Sequence, residues 1–313
     1  MIGIDDIERA ATAVAPHVRR TPVMPLTGLQ TPFAVDGAII AKLECLQVTG
    51  SFKARGAMNR LLATPRERLA AGFVTASGGN HGLAVARTAA VAGVPATVFL
   101  PATVSPSKVE KLRGWGAAVT IIGEVWDQSN AAALEHARRT GAEYVHPFAD
   151  PLVVAGQGTL GLEILADIPD VDTVIVAIGG GGLITGLATA IKARRPSVRI
   201  VGVEPIGSPT LHACLAAGAC VALDTVTTRV ATMACRQTDP ALFAQVQPLL
   251  DTILLVSDDA MLAASRRLWF EAGIAADLSG AASIAALAEH PEVFRSDRCI
   301  CALVCGAGPD GMV

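Results

Sequence analysis

Residues 173–191, TVIVAIGGGGLITGLATAI, carry no charge and are long enough to span a bilayer as one helix, yet four consecutive glycines break the run. Glycine costs a helix interior about 1 kcal/mol per residue relative to alanine, so a buried strand, a turn and a new helix explain the stretch more simply. The same pattern recurs along the chain: FVTAS before NHGLAVARTAAVAG, ATVFLP before SPSKVEKLRGWG, then AVTIIG, RIVGVEP, TILLVSDDAMLAASRRLWFEAG and CICALVCG. Strand-length apolar runs alternating with helical patterns mark βαβ units. An α/β protein of two lobes is expected, each a twisted, mostly parallel sheet covered by helices, with a cleft between them. A chain of 313 residues is long enough for both. The Pro- and Gly-rich stretch EYVHPFADPLVVAGQGTLGLEIL is the expected passage from one lobe to the other.

Composition narrows the partners. Apolar residues make up 51% and charged residues 17%, which opposes disorder, and a net charge of −3 gives no reason to expect nucleic acid or an anionic membrane. The start, MIGIDDIERAAT, is acidic and amphipathic, unlike a secretory signal. Seven cysteines, an odd number, suit reduced thiols and a cytoplasmic location. CICALVC places Cys299, Cys301 and Cys305 at even spacing, hence on one strand face; no histidine is near, so buried thiols are expected and no metal.

Three glycine turns each follow a strand and open a helix: SGGNHG at 77–82, GGGGL at 179–183, and CGAGPDG from Cys305. Ligands of open α/β sheets bind at such ends, and in the first two turns backbone N–H groups at a helix start can converge on an anion. A tight turn with close helix packing is the alternative for GGGGL. A dinucleotide site is a second alternative, because Glu204 ends the next strand where a ribose-binding acid would stand. The glycine spacing opposes it, since the third glycine of G-x-G-x-x-G would fall on Ile184 or Thr185. A single phosphate group fits better than a pyrophosphate.

Only five lysines are present. Lys108 and Lys111 lie on the polar face of SPSKVEKL and Lys192 sits beside arginines at a helix end, which leaves Lys42, inside a strand pattern, and Lys53, in TGSFKARG. A phosphate cradle together with a lysine in a glycine turn suggests pyridoxal phosphate held as a Schiff base, with a solvated Lys53 the equal alternative.

The motifs RTPVMPL, AKLECLQVTGSFKARGA, ASGGNHG, SPSKVEKLRGWGA, HPFADPLVVAGQGTLGLEI, IGGGGLITG and VGVEP occur in order over nearly the whole chain. With them the chain resembles the threonine/serine dehydratase and serine racemase family of pyridoxal-phosphate enzymes, fold type II (tryptophan synthase β-like). The resemblance implies pyridoxal 5'-phosphate in the cleft between a large cofactor-binding domain (1–71 and 150–313) and a small substrate-carboxylate domain (72–149). It implies that Lys53 is the Schiff-base lysine with Phe52 beside it, and that Asn80 bonds the ring hydroxyl; alone, Asn80 would read as a helix N-cap. It places Gly179, Gly180, Gly181, Gly182 and Leu183 on the cofactor phosphate, Cys305 against the pyridine nitrogen, and the turn Ser77, Gly78, Gly79, Asn80 and His81 on the substrate carboxylate. His81 is expected to have no proton-transfer role.

Departures from the family pattern qualify this. Gly78 stands where racemases are expected to carry a second serine as the opposite-face base, which favours elimination over racemisation. Cys305 replaces the usual serine, Asp277 and Leu278 replace the usual Glu-Pro, and RVATMACR lacks the usual Ala-Asp-Gly; the resemblance sets the last two segments at the border of the active site, so their drift leaves substrate identity open. Glu204 matches the first ligand of a cation site, but Thr210 stands where an acid is expected, so a structural glutamate is favoured. Ala54 and His81 depart from cysteine and threonine synthases.

The implied reaction is elimination of water from a β-hydroxy amino acid, with Lys53 as base, giving a 2-oxo acid and ammonia. L-threonine and L-serine are the default substrates. A substituted hydroxy amino acid of the phenylserine, 3-hydroxyaspartate or hydroxyectoine-pathway type, a serine racemase, and a non-catalytic cofactor-binding paralogue are the alternatives. A homodimer is implied by family habit, and no regulatory domain is expected after CGAGPDG.

Overall fold

The computed structural model describes residues 1–312. Its strands, in chain order, are β1 (Val23–Pro25), β2 (Ala38–Lys42), β3 (Phe73–Ala76), β4 (Ala96–Leu100), β5 (Ala118–Ile121), β6 (Glu143–Tyr144), β7 (Thr173–Ala177), β8 (Arg199–Pro205), β9 (Thr252–Val256) and β10 (Cys299–Leu303). They form two sheets. One has six strands in the order β1-β2-β10-β7-β8-β9, and the other four in the order β5-β4-β3-β6. All strands of the smaller sheet come from residues 73–144, and the larger sheet is assembled from the chain on both sides of that segment.

The uncharged run of 173–191 divides as its glycines require, into β7 and the helix Gly182–Arg194. Every residue of β7 is buried, as expected of a central strand covered on both faces. No helix among the described residues is long and apolar enough to cross a membrane.

The six-stranded sheet is mostly parallel, as expected, and only its edge strand β1 departs, running antiparallel to β2 with Val23 opposite Lys42. A short edge strand ending in Pro25 blunts the edge, since proline offers no N–H for a further strand. One expectation, the placement of Cys305, is corrected. Cys305 does not share a strand face with Cys299 and Cys301, because β10 ends at Leu303 and Cys305 belongs to the turn beyond it.

A buried ionic cluster locks the TGSFKARG segment to the larger sheet. The Arg55 guanidinium forks onto both oxygens of Glu44 at 2.8 and 2.7 Å and reaches Glu163 at 2.7 and 2.9 Å. Lys42 adds bonds to the Thr21 carbonyl at 2.7 Å, Asp167 at 2.8 Å and Glu163 at 3.0 Å. Lys42, Glu44 and Arg55 are each 0% exposed. Charges so far from water persist only when paired, so this cluster fixes the helix Lys53–Leu62 against the helix Pro151–Asp167. It also disposes of Lys42 as a reactive amine, because its ammonium already has three acceptors.

Candidate active site

The chain turns sharply before Lys53. Thr49 has φ 63° and Gly50 φ 80°, and a β-branched residue in the left-handed region is strained by about 1–3 kcal/mol. Such strain persists only where surrounding contacts impose it. Here Ser51 forms a bridge with Gly306, and the Phe52 N–H donates to the Cys305 carbonyl at 3.2 Å. The turn past β10 therefore fixes where the next helix begins, and its first residue is Lys53.

The Lys53 Nζ donates to the Pro147 carbonyl at 2.6 Å and lies 5.1 Å from the centre of the Phe52 ring. No carboxylate is paired with it among the described residues. Burial pushes its pKa down to about 8, with Cys305 and Cys235 acting weakly in the other direction. An amine in this state is a usable nucleophile and base near neutrality.

Two helix starts adjoin this amine. In the first, the amides of Asn80, His81 and Gly82 donate to no group among the described residues, as the opening turn of a helix leaves them. Gly82 has to be glycine, since a Cβ there would lie 1.9 Å from the Ser77 carbonyl oxygen. The Gly79 N–H bonds the Ser77 hydroxyl at 3.4 Å, and a Cβ on Gly78 would press on Leu100 and Val104 at 3.1 Å. His81 is buried, with Nε2 3.1 Å from the Val145 carbonyl and Nδ1 left without a partner. Burial first, then Lys53, lowers its pKa to about 3, so it stays neutral, with its one ring hydrogen directed at the Val145 carbonyl. Asn80 is not the N-cap, which is Gly79; its Nδ2 donates to Asp277 Oδ2 at 3.0 Å.

In the second, the amides of Gly179, Gly180, Gly181, Gly182 and Leu183 likewise donate to no described group, and Gly181 takes φ 93°. The opposite side of this turn is packed: a Cβ on Gly180 would meet the Phe148 ring at 2.2 Å, and one on Gly182 the Phe148 carbonyl at 2.6 Å. Close packing, the alternative expectation, thus accounts for part of the glycine run. The free amides are the part that packing leaves over.

The turns meet through residues of HPFADP, whose place at the site sequence reasoning missed, and of RVATMACR, which it set at the site's border. Pro147 and Phe148 touch Lys53 and Gly180 respectively. The Thr232 carbonyl approaches Gly179, and its methyl lies 3.8 Å from where a Gly79 Cβ would stand. His146 shapes the intervening turn, its Nδ1 accepting the N–H groups of Phe148 at 3.2 Å and Ala149 at 2.9 Å. Burial, then Lys53, depresses the His146 pKa to about 4, which keeps that acceptor lone pair available. In sequence HPFADP reads only as a passage between lobes; the histidine before Pro-Phe is the one signal it offers. Cys305 is buried with Sγ 3.4 Å from the Ser279 carbonyl, and burial raises its pKa, so it is a neutral thiol. Glu204 serves as a helix cap, accepting the N–H groups of Leu211 at 2.8 Å and His212 at 2.9 Å.

A primary amine of lowered pKa, an aromatic ring beside it, a primary amide, and two helix starts with unpaired amides fit pyridoxal phosphate and an amino acid. The phosphate needs several N–H donors at close approach, which the 179–183 turn leaves free. The substrate carboxylate needs a second such set, which Asn80, His81 and Gly82 leave free.

Comparison with known proteins agrees with this chemistry. Residues 14–306 match the family model described as pyridoxal-phosphate dependent enzyme. The chain is 39% identical over 297 residues to the L-threonine ammonia-lyase of Geobacter sulfurreducens, covering 95% of this chain and 73% of that protein. The structure of maize serine racemase superimposes with TM-score 0.93 at 33% identity, covering 97% of this chain and 93% of that one. The structure of T.th. threonine deaminase superimposes with TM-score 0.90 at 34% identity, covering 98% of each chain.

Proposed function

Since the chain belongs to the family of pyridoxal-phosphate dependent enzymes, we propose that it is an L-threonine/L-serine ammonia-lyase that eliminates water from a β-hydroxy amino acid. The observation that carries this reading is the Lys53 amine, set beside two helix starts whose amides are unpaired. Lys53 would hold the cofactor, with Phe52 beside it, the amides of residues 179–183 on its phosphate, Asn80 on its ring hydroxyl and Cys305 at its ring nitrogen. Bound there, the cofactor supplies an electron sink that acidifies the α-hydrogen of an amino acid.

The chain's own residues do the rest. The Ser77–His81 turn takes the substrate carboxylate, which orients Cα. The neutral Lys53 amine accepts the Cα proton, and the Pro147 carbonyl accepts a hydrogen bond from the ammonium so formed. The β-hydroxyl takes up a proton and departs as water, balanced by the proton that Lys53 removes from Cα, and addition of a second water releases ammonia and a 2-oxo acid. Gly78 offers no side chain for a base on the opposite face of Cα, which favours elimination over the racemase reading suggested by the maize structure. The neutral Cys305 thiol cannot hold the ring nitrogen protonated as a carboxylate would, which suits a short-lived carbanion.

The reading extends to the division of labour: residues 1–71 and 150–313 as the cofactor-binding part, 72–149 as the carboxylate-binding part, in a cytoplasmic homodimer. Purified protein supplied with pyridoxal phosphate is expected to release 2-oxobutanoate from L-threonine and pyruvate from L-serine. Phenylserine and 3-hydroxyaspartate in the same screen test the substituted substrates. D-serine accumulating from L-serine with no 2-oxo acid would replace this reading with the racemase.

The lowered Lys53 pKa gives a second prediction. Only the neutral amine attacks the cofactor aldehyde, so uptake by the cofactor-free protein should rise about tenfold per pH unit and level off above pH 8. Visible absorbance on mixing reports this rate. A profile still climbing to 10.5, the ordinary lysine value, would mean the amine is not desolvated.

A further inference from the structure

Asp277, one of the departures in sequence, has neighbours that give it a role. It caps the helix Leu278–Glu289, with Oδ1 accepting the Gly280 N–H at 2.6 Å and the Ser279 hydroxyl at 2.7 Å. Its other oxygen, Oδ2, takes the Asn80 Nδ2 hydrogen at 3.0 Å. The bond joins a helix packed on the six-stranded sheet to the first residue of the helix that follows β3. A Cβ on Gly306 would lie 2.6 Å from Asp277 Oδ2 and 3.0 Å from Asn80 Nδ2, so glycine there keeps the pair intact.

A primary amide has two hydrogens on nitrogen and an acceptor oxygen, and if free to rotate it can offer either side. Asp277 removes that freedom. We propose that Asp277 is a positioning residue for Asn80, fixing its amide so that the second Nδ2 hydrogen, rather than the carbonyl oxygen, meets the ring hydroxyl of bound pyridoxal phosphate. Aspartate suits the double task because it is among the best N-caps, whereas glutamate is not favoured at a cap. The inference rests on the chain's being a pyridoxal-phosphate enzyme.

The test compares affinities of the cofactor-free protein for pyridoxal phosphate and for its analogue lacking the ring hydroxyl, measured by absorbance titration. Wild type is expected to prefer the natural cofactor by about tenfold or more, the worth of one charge-assisted hydrogen bond. Asp277→Asn keeps the cap but sets amide nitrogen against amide nitrogen, so Asn80 turns over and the preference should fall to within about twofold of none. Asp277→Ser also keeps a cap but only releases Asn80, and should fall between. A wild-type preference retained in Asp277→Asn overturns the proposal. Should that variant fail to fold, Asn80→Ser supplies the comparison: adding Asp277→Ser to it should leave the preference unchanged, and a further drop overturns the proposal. Wild-type protein that binds neither compound defeats the underlying enzyme reading instead, a distinct result.

Discussion

Lys53→Ala is expected to lower 2-oxo acid formation by at least about 10³-fold and to leave no visible absorbance from bound cofactor. Two roles are lost together, since the same amine anchors the cofactor and accepts the Cα proton. The loss should be chemical rather than structural. Lys53 makes a single polar contact, to the Pro147 carbonyl, and stands at the first position of its helix, where alanine is well tolerated. The thermal midpoint should therefore change little while turnover disappears. Substantial activity in this variant would place the reactive amine elsewhere, yet Lys42 is saturated by Thr21, Glu163 and Asp167 and cannot take over.

Arg55→Met should do the opposite, costing stability before chemistry. It preserves much of the volume but leaves Glu44, 0% exposed, without the guanidinium that neutralises it, and takes from Glu163 its forked partner. Stranding one buried charge costs about 3–5 kcal/mol, a large part of the net stability of most domains. A marked fall in the denaturation midpoint, with Lys53 displaced as its helix loosens, is the expected result. Adding Glu44→Leu should restore part of the loss, because a hydrophobic replacement of the whole buried pair is far less costly than half of it. An unchanged midpoint in Arg55→Met would show that water reaches the cluster.

The fold was largely legible because its cause is local. β7, after Thr173, and β10 are apolar since both faces of a central parallel strand are covered, and the helices Asn80–Ala92 and Gly182–Arg194 declare themselves by glycine at their starts. β1 escaped because three residues carry too little periodicity to announce a strand or its direction. Cys305 was misplaced because even spacing continues on paper past the point where pairing with β2 and β7 ends.

The candidate site divides along the same line. TGSFKARG, SGGNHG and GGGG were legible in sequence through their glycines, which turns need both to expose backbone amides and to admit close neighbours, and through the resemblance that singles out Lys53. The Pro147 carbonyl on Lys53, Thr232 between two glycine turns and the Asp277–Asn80 bond join residues up to 197 positions apart. Sequence determined which groups could do chemistry, because that depends on side-chain type and local turn geometry. Only the tertiary structure decided which of them meet, and so which lysine is desolvated and left free, because burial and hydrogen-bond partners depend on what the rest of the chain brings alongside.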